Sequence, residues 1–475
     1  MNLLVLSMDR FHWAFTGPLG NRWIHTPNWN RLAAEGLVFQ QCFATSSSEE
    51  EQIRTLWSGE HPLMWKSRES ITPKQTGQIL PQTAQRQGWN TYLHTDSAVV
   101  AAMPEVSYFN HLKKVDTEGI HSPDQRSFST VSDLADSQPR CVERWEESNL
   151  AYLFTDMYEQ LTDISERSTV PFLFWSHWES LGRVWDAPFE FRERYVEYDD
   201  PEVEDSAWVP RYRLEKHYNP DELLGIQQAY AGQISLQDLC LAPLIEWLNE
   251  DAIGRQTALL LTGTRGFPIG EHFYIGDYPH LYSELTHVPT ILRLPGNRLR
   301  AVRSQNLTEM SDLSTILSEL IESQDTSCIE DRLTDVNFFT PTIRTTKYTE
   351  CIESNTGNFH DGASFDQALS GFSSSDSSTF RSMLPGRDRI VTIGEDGEFA
   401  IVTEHWYLRY LEAQPESAEL YLRKDDPFQV NDVANRCREV TAALISVIKQ
   451  FRADILHGKD PYQPPLASVI NIPPD

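Results

Sequence analysis

The sequence predicts an α/β fold with a large, mostly parallel central sheet, followed by a small antiparallel C-terminal subdomain. Short apolar runs, which are typical of buried strands, alternate with longer amphipathic stretches, which are typical of helices. Near the C-terminus this alternation gives way to two adjacent strand patterns joined by Asp396-Gly397, a dipeptide that favours a tight hairpin turn. A chain of 475 residues is long enough for one large domain and a smaller one.

The elements follow in order along the chain. Strands are predicted at VLSM (5–8), LVFQQCFAT (37–45), NTYLHTD (90–96), PFLFWSHW (171–178), TALLLTG (257–263) and VPTILRL (288–294). Helices are predicted at 74–87, 147–163, 222–250 and 312–323. The hairpin spans 390–411, an amphipathic helix covers 432–455, and the Pro-rich tail is predicted to be extended. The predicted organisation is an α/β domain at 1–340, a polar Ser-rich linker at 341–388 and a small subdomain at 389–475.

Charge and composition exclude some classes of function. The net charge of -29 argues against binding to nucleic acid or to an anionic membrane surface, because both require a basic surface. The segment at 189–212 is acidic and aromatic, and a solvated surface loop is favoured there over a surface that recognises a basic partner.

Cysteine usage and the N-terminus predict a cytoplasmic protein. The six cysteines are scattered with no C-x-x-C spacing, so we expect reduced thiols and neither a zinc site nor a disulfide framework. The first apolar run is interrupted by Asp9 and is too short for a signal peptide or a membrane span. An export signal upstream of a misassigned start remains the alternative.

The segment at 263–296, GTRGFPIGEHFYIGDYPHLYSELTHVPTILRLPG, contains the most informative motif. It resembles the sulfatase branch of the alkaline phosphatase superfamily, where Asp-His-Gly at a strand end precedes Gly-Glu-His and Leu-Tyr-Glu-Glu-Leu-Thr-x-Val-Pro. The residues in register are Gly266, Gly270, Glu271, His272, Leu281, Tyr282, Glu284, Leu285, Thr286, Val288 and Pro289. Thr264 and Arg265 stand at the Asp and His positions, and a guanidinium cannot coordinate a metal. The resemblance implies a sulfatase-like sandwich fold.

The N-terminal strand NLLVLSMDRF is similar to the family's first strand, which ends in two aspartates that bind calcium. Asp9 matches the first aspartate and is the only remaining metal-ligand candidate, whereas Arg10 replaces the second. The segment TPNWNRLAAEG at 26–36 resembles the family's first helix, with Thr26 as its cap and Gly36 at its end.

The family's nucleophile is a Cys or Ser oxidised to formylglycine within C-x-P-x-R. An ungapped count through 39–59 places Glu49 at the nucleophile, Glu51 at the Pro and Ile53 at the Arg. The run SSSEEEQ therefore predicts a helix N-terminus, with serine as a cap and glutamates near the positive end of the helix dipole. The alternative is a slipped register in which a serine of 46–48, such as Ser48, supplies a hydroxyl.

Two further positions belong to the site that the resemblance implies. Asp96 stands where the family has a lysine that contacts sulfate, and Ala98 where it has a histidine. His177 follows a strand and is either a pocket residue or a structural histidine.

These positions are predicted to lie together, because ligand sites in such sheets lie beyond the carboxyl ends of the strands. Asp9 and Glu49 then face Arg10 and Arg265, so that two negative and two positive charges cancel. We expect Arg265 to pair with Asp9 or Glu49. The alternative is that Arg10 and Arg265 point to solvent.

Two hypotheses on function follow from the resemblance. The first is a catalytically degenerate member of the family with a role in binding or assembly, and with no cofactor. The second is a divergent sulfate-ester or phosphate-ester hydrolase with a non-standard nucleophile, for which calcium would be the cofactor. The partner is unknown, and a protein partner or a homo-oligomer is compatible with either hypothesis.

Overall fold

The structure is a computed structural model that describes residues 1–69, 79–116, 140–276, 278, 280–323 and 387–470. The linker predicted at 341–388 lies outside the described residues except for its last two positions, and so does the first part of the helix predicted at 74–87. Cys328, Cys351 and the last five residues of the predicted tail also lie outside them.

The strands of the described residues belong to one large sheet, one smaller sheet and two short pairs. They are β1 (Asn2–Met8), β2 (Leu37–Phe39), β3 (Cys42–Phe43), β4 (Asn90–Thr95), β5 (His111–Lys114), β6 (Phe172–Trp178), β7 (Tyr212–Arg213), β8 (Thr257–Gly263), β9 (Tyr274–Ile275), β10 (Thr290–Arg293), β11 (Val302–Ser304), β12 (Thr308–Glu309), β13 (Arg389–Ile393), β14 (Glu398–Thr403), β15 (Trp406–Leu411) and β16 (Gln414–Leu422).

Most α-helices of the described residues pack on the large sheet, while those at 62–69 and 438–456 contribute to the core of the C-terminal part. They are α1 (Pro27–Glu35), α2 (Glu49–Ser58), α3 (Pro62–Glu69), α4 (Leu80–Arg86), α5 (Ala98–Ala101), α6 (Asn149–Arg167), α7 (Phe189–Glu193), α8 (Pro220–Cys240), α9 (Ala242–Glu250), α10 (Ser283–Thr286), α11 (Met310–Ser323) and α12 (Arg438–Leu456).

The large sheet has eight strands in the order β11-β2-β10-β8-β1-β6-β4-β5. Only β10 runs antiparallel to its neighbours, which confirms the predicted mostly parallel sheet. The run at 37–45 is not one strand, because β2 belongs to the large sheet while β3 pairs with β12.

Both faces of the large sheet are buried. In β1, Leu4 and Leu6 face one apolar core, while Leu3 and Val5 face the other. This alternation follows from the two-residue period of a strand, and burial on both faces explains why β1 and β8 are almost continuously apolar. Helices cover both faces, as the alternation of strands and helices predicts.

Helix boundaries differ from the prediction at several ends, and α6, for example, extends to Arg167 instead of ending at 163. The helix predicted at 222–250 is two helices, α8 and α9, which meet at Leu241, and the helix predicted at 432–455 begins only at Arg438. Thr26 and Gly36 flank α1 as predicted, but the Thr26 side chain does not cap the helix. Asp238 of α8 caps it instead, because its carboxylate accepts from the backbone N–H groups of Asn28 at 3.0 Å and Trp29 at 2.8 Å.

The C-terminal part is an antiparallel sheet in the order β13-β14-β15-β16, with α12 packed on one face. Asp396 and Gly397 both have positive φ, 52° and 77°, at the turn between β13 and β14, which confirms the predicted hairpin. The other face of this sheet packs against the large domain through residues such as Phe43, Leu281 and Tyr407.

No α-helix within the described ranges combines the length and the apolar character needed to cross a membrane.

Candidate functional site

The carboxyl ends of β1 and β8 bring Asp9, Thr264 and Arg265 into direct contact. Asp9 Oδ1 accepts from the Thr264 hydroxyl at 2.8 Å and from Arg265 Nε at 2.9 Å, and Asp9 Oδ2 accepts from Arg265 Nη2 at 2.5 Å. The Asp9 side chain is 1% exposed and that of Arg265 10%. The two-atom pairing predicted between Arg265 and Asp9 is therefore present, and it is buried.

Arg10 adds a second guanidinium to Asp9. Its Nε lies 3.1 Å from Asp9 Oδ2, and its side chain is only 14% exposed, so the alternative in which Arg10 points to solvent is wrong. Arg10 has a φ of 65°, a left-handed conformation that is uncommon for a residue with a side chain. The Tyr230 hydroxyl donates to the Arg10 carbonyl at 2.8 Å and accepts from the His12 N–H at 2.9 Å. One tyrosine hydroxyl thus binds the backbone carbonyl of Arg10 and the backbone N–H of His12, and these two bonds stabilise the left-handed conformation of Arg10.

The charges at this strand end stabilise one another. Burial alone would raise the pKa of Asp9, but the positive charges of Arg265 and Arg10 outweigh burial and hold that pKa far below its ordinary value. Burial would likewise lower the pKa of Arg265, and the charge of Asp9 raises it above its ordinary value. The carboxylate and the guanidinium thus stay charged in a site that is nearly closed to water.

Arg265 also links the site to the segment before α2. Its Nη1 donates to the Ser47 carbonyl at 2.7 Å, and the Ser47 N–H donates to the Ile393 carbonyl of β13 at 3.0 Å. One guanidinium therefore connects β1, β8 and the loop that leads to Glu49, and this loop is in turn bound to the C-terminal sheet.

The run SSSEEE forms the start of α2, as predicted, with Ser48 at the N-cap and Glu49 to Glu51 in the first turn. Ser48 makes no capping bond with its side chain, so that part of the prediction is wrong. The Ser46 hydroxyl donates to Glu51 at 2.6 Å and accepts from the Ser48 N–H at 3.1 Å, which supports the turn into the helix.

Glu49 and His177 form a second buried pair at the end of β6. His177 Nε2 lies 2.9 Å from Glu49 Oε1, and His177 Nδ1 lies 3.0 Å from the Ser7 hydroxyl. Burial would lower the pKa of His177, but the hydrogen bond and charge of Glu49, with the charges of Asp9 and Asp96, raise it. Burial would raise the pKa of Glu49, and its hydrogen bond to His177 is the main reason that it is lowered.

A hydrogen-bond chain of the order found in hydrolytic triads links Ser7, His177 and Glu49, but the serine hydroxyl is not accessible to a substrate. Ser7 is 0% exposed, and its hydroxyl accepts from Trp175 Nε1 at 3.1 Å, so it cannot reach a substrate. His94 is similarly placed between Ser176, at 2.8 Å, and Asp156, at 3.0 Å, and Ser176 is also 0% exposed. Both arrangements are interior hydrogen-bond chains.

Asp96 faces a loop that follows β6. Its Oδ1 accepts from the Glu179 N–H at 2.8 Å, while its Oδ2 is buried without a hydrogen-bond partner. Burial raises the pKa of Asp96, and Arg183 offsets this only in part.

Glu179 is a site residue whose pKa is raised to near neutral pH. Burial and then the charge of Glu49 raise the pKa of Glu179 to about 7. The Ser97 hydroxyl lies 2.8 Å from Glu49 Oε1 and 3.2 Å from Glu179 Oε1, while Arg183 Nη2 binds Glu179 Oε2 at 3.0 Å.

The sequence analysis missed Glu179, Ser97 and Arg183. Glu179 and Ser97 each follow a residue already singled out, His177 by two positions and Asp96 by one, so the rule that sites lie beyond strand ends could have found them. Arg183 lies further along the loop and carries no such signal. The predicted charge balance of the site, with two negative and two positive side chains, therefore left out Glu179 and Arg183.

The residues that keep the motif of 263–296 make structural contacts. A Cβ on Gly266 would lie 1.9 Å from the Glu284 carbonyl oxygen, so only glycine fits there. His272 Nδ1 lies 2.8 Å from Glu284 Oε1, and the Thr286 hydroxyl lies 2.8 Å from the Tyr407 hydroxyl of the C-terminal sheet. Close packing and hydrogen bonds thus account for Gly266, His272, Glu284 and Thr286.

Comparison with known families decides the assignment, because a sequence model described as Sulfatase matches residues 1–322. The chain belongs to the sulfatase family. None of the curated proteins matches it.

Several solved structures have this fold and align with nearly the whole length of this chain. A phosphonate monoester hydrolase of Agrobacterium radiobacter gives a TM-score of 0.61 at 16% identity, covering 96% of both chains. A protein solved with its substrate D-glucosamine-2-N,6-O-disulfate gives 0.63 at 13% identity, covering 97% of this chain and 99% of the other. A 2-O GAG sulfatase gives 0.59 at 15% identity, with 97% and 93% covered. These similarities show the fold.

Proposed function

We propose that this chain is a sulfatase-family protein without ester hydrolase activity, and that its role is binding or assembly. The observation that carries the proposal is the position of Arg265, whose guanidinium engages both oxygens of Asp9 and the Ser47 carbonyl in a buried site. A fixed cation of the protein therefore neutralises the carboxylate that the family resemblance assigns to calcium.

The donor set does not fit a calcium ion. Calcium takes six to eight oxygen ligands with net negative charge. Here, Asp9 Oδ1 already accepts two hydrogen bonds and Oδ2 faces two guanidinium groups. Within the described residues, no group of three or more His, Cys, Asp or Glu side chains is arranged to hold a metal ion. A divalent cation beside Arg10 and Arg265 would meet repulsion in a poorly solvated site.

The residues at the nucleophile position support the same proposal. Glu49 has its carboxylate engaged with His177 and Ser97, and the Ser46 hydroxyl is bound to Glu51. No Pro-x-Arg follows any serine of 46–48, so we also propose that the chain carries no formylglycine. Mass spectrometry of the peptide at 39–59 tests this, and an oxidised Ser47 or Ser48 would contradict it.

Calcium titration calorimetry provides the main test. We expect no calcium binding by the wild type and measurable binding by the variant Arg10→Asp, Thr264→Asp, Arg265→His, which restores the ligand types implied by the family. The matched control is Thr264→Asp alone, which adds one carboxylate but keeps both arginines. Stoichiometric calcium bound by the wild-type protein would contradict the proposal.

A substrate panel tests the catalytic half of the proposal. Phosphonate monoester hydrolysis and sulfate-ester hydrolysis are the activities named for structural relatives, so aryl esters of sulfate, phosphate and phosphonate are the appropriate substrates. We expect rates equal to the buffer blank with and without added calcium. Turnover that is lost in both Asp9→Asn and Glu49→Gln would overturn the proposal.

A further inference from the structure

A surface cavity with a space of about 260 Å³ lies away from the site at the strand ends and includes part of the acidic segment at 189–212. It lies between the segment that precedes α1, the acidic segment that follows α7 and the first turns of α8. Its lining residues are Trp23, Tyr195, Glu197, Asp200, Leu224 and Gln227. None of these residues takes part in the family site, so a role for this cavity does not depend on the proposed loss of catalysis.

The aromatic wall of the cavity is formed by Trp23 and Tyr195. Their ring centroids are 4.7 Å apart with an interplanar angle of 57°, and Trp23 is 43% exposed although it is a large apolar residue. Tyr195 is held in place because its hydroxyl accepts from the His25 N–H at 3.0 Å. Exposed indole faces attract organic cations through the negative potential of the ring.

The acidic wall is formed by Glu197 and Asp200. Asp200 Oδ2 accepts from the Glu197 N–H at 2.8 Å and from Gln228 Nε2 at 3.0 Å, so the loop that presents the two carboxylates is itself fixed. Gln228 is fully buried, and its Oε1 has no hydrogen-bond partner. Within the part of the chain that the structure describes, no lysine or arginine forms an ion pair with Glu197 or Asp200.

Two aromatic side chains and two carboxylates line the same cavity, and no lysine or arginine of the described residues forms an ion pair with those carboxylates. This combination favours recognition of an organic cation. We propose that this cavity binds an alkylammonium group, such as that of a lysine side chain or of a free polyamine. The ammonium lies between the Trp23 ring and the carboxylates of Glu197 and Asp200, and its alkyl chain lies against Leu224. The net charge of -29 favours the approach of such a ligand.

Calorimetry with the full chain tests the proposal. The probes are Nα-acetyl-lysine methylamide, a hexalysine peptide and spermidine, with the Nε-acetylated lysine derivative as the uncharged control. We expect Trp23→Ala and Glu197→Gln each to weaken binding of the charged probes by about two- to fivefold. Trp23→Phe retains an aromatic face and is expected to retain part of the affinity.

The matched control is Asp199→Asn, which removes the same charge from the same exposed segment but does not line the cavity. It should leave affinity within twofold of wild type, since only the long-range field changes. Tighter binding of hexalysine identifies a protein partner as the source of the ammonium, and tighter binding of spermidine identifies a free amine. The proposal is overturned if no charged probe binds, if Trp23→Ala has no effect, or if Asp199→Asn weakens binding as much as Glu197→Gln.

Discussion

A buried carboxylate destabilises a folded protein unless charge and hydrogen bonds compensate it, and Asp9 receives both from guanidinium groups. Arg265 binds both of its oxygens and Arg10 approaches one of them. The family resemblance implies a metal ion as the partner of this carboxylate. Under the proposed function, the arginine side chains stand in place of that ion, and compensation by side chains of the protein itself does not depend on ligand concentration.

Removing the Arg265 side chain is therefore expected to destabilise the fold. Arg265→Ala should lower the free energy of unfolding by about 3–5 kcal/mol, because the buried Asp9 would lose the guanidinium that binds both of its oxygens. Urea unfolding of the variant and the wild type measures the difference. Arg167→Ala is the control, since Arg167 is 77% exposed and pairs with Asp163, which is 50% exposed, and about 0–1 kcal/mol is expected for such a surface pair. An unchanged midpoint for Arg265→Ala would show that the pair contributes nothing to stability.

The pKa shifts around Glu49 predict a dependence of stability on pH. The pKa of Glu179 is raised from 4.5 to about 7, and that of His177 is also raised, so the folded state holds protons that the unfolded state releases. Stability contributed by these groups is present at lower pH and is lost as pH rises through their folded-state pKa values.

Glu49→Gln should flatten this dependence, because the Glu49 charge raises the pKa of both groups. Thermal unfolding midpoints from about pH 5 to about pH 8 provide the measurement. Glu50→Gln in the same helix turn is the control, because the Glu50 side chain is 45% exposed and pairs with Arg54. Parallel curves for wild type and Glu49→Gln would show that these two groups do not set the pH response.

At the level of single residues, the sequence predicted that Arg265 pairs with Asp9 or Glu49, and the structure selects Asp9. The pair follows from two strand ends and from charge balance, both of which can be read along the chain. Burial depends on which loops cover those strand ends. The sequence therefore could not show that Glu49 binds His177 or that Glu179 lies beside Glu49.

Among secondary-structure elements, the junction between β8 and α10 depends on close backbone approach at Gly266. Gly266→Ala should lower the free energy of unfolding by about 1–3 kcal/mol or more. The new Cβ would lie 1.9 Å from the Glu284 carbonyl oxygen, and this backbone atom cannot rotate away. Chemical denaturation gives the magnitude.

Gly225→Ala is the matched control for this prediction. Gly225 lies within α8 with nothing within 4 Å of its Cβ position, so alanine there should stabilise by about 0.5–1 kcal/mol. Opposite signs for the two variants are expected. Equal effects would contradict the claim that the close approach at Gly266 matters.

The buried central strands β6 and β8 were predicted more accurately than helix ends, for a physical reason. A buried parallel strand needs a continuous apolar run, which the sequence shows directly, as at β8. A helix end depends on groups that satisfy its free N–H groups, and these can come from distant elements. Asp238 lies more than two hundred residues after α1 yet caps it, so no local pattern could have indicated this contact.

The whole molecule is held together by contacts between the C-terminal sheet and the α/β domain. An apolar interface contains Phe43 and Leu285 on one side and Tyr407 on the other. Arg387 adds ion pairs to Asp312 at 2.7 Å and to Glu309 at 3.0 Å, both buried. The Ile393 carbonyl of β13 also accepts a hydrogen bond from the Ser47 N–H, so the same interface fixes the loop that contacts Arg265.

The two parts are therefore expected to unfold together. For the full chain, tryptophan fluorescence and far-UV circular dichroism should give coincident urea transitions. A chain that ends at Ser323 loses the partners of Phe43, Leu285, Glu309 and Asp312, so it should bind a hydrophobic dye and lack a cooperative transition. A chain that ends at Ile470 keeps every described contact and should match the full chain. If residues 1–323 unfold cooperatively and bind no dye, the α/β domain folds alone. The C-terminal sheet would then pack on a domain that is already stable, and the two parts would not share one core.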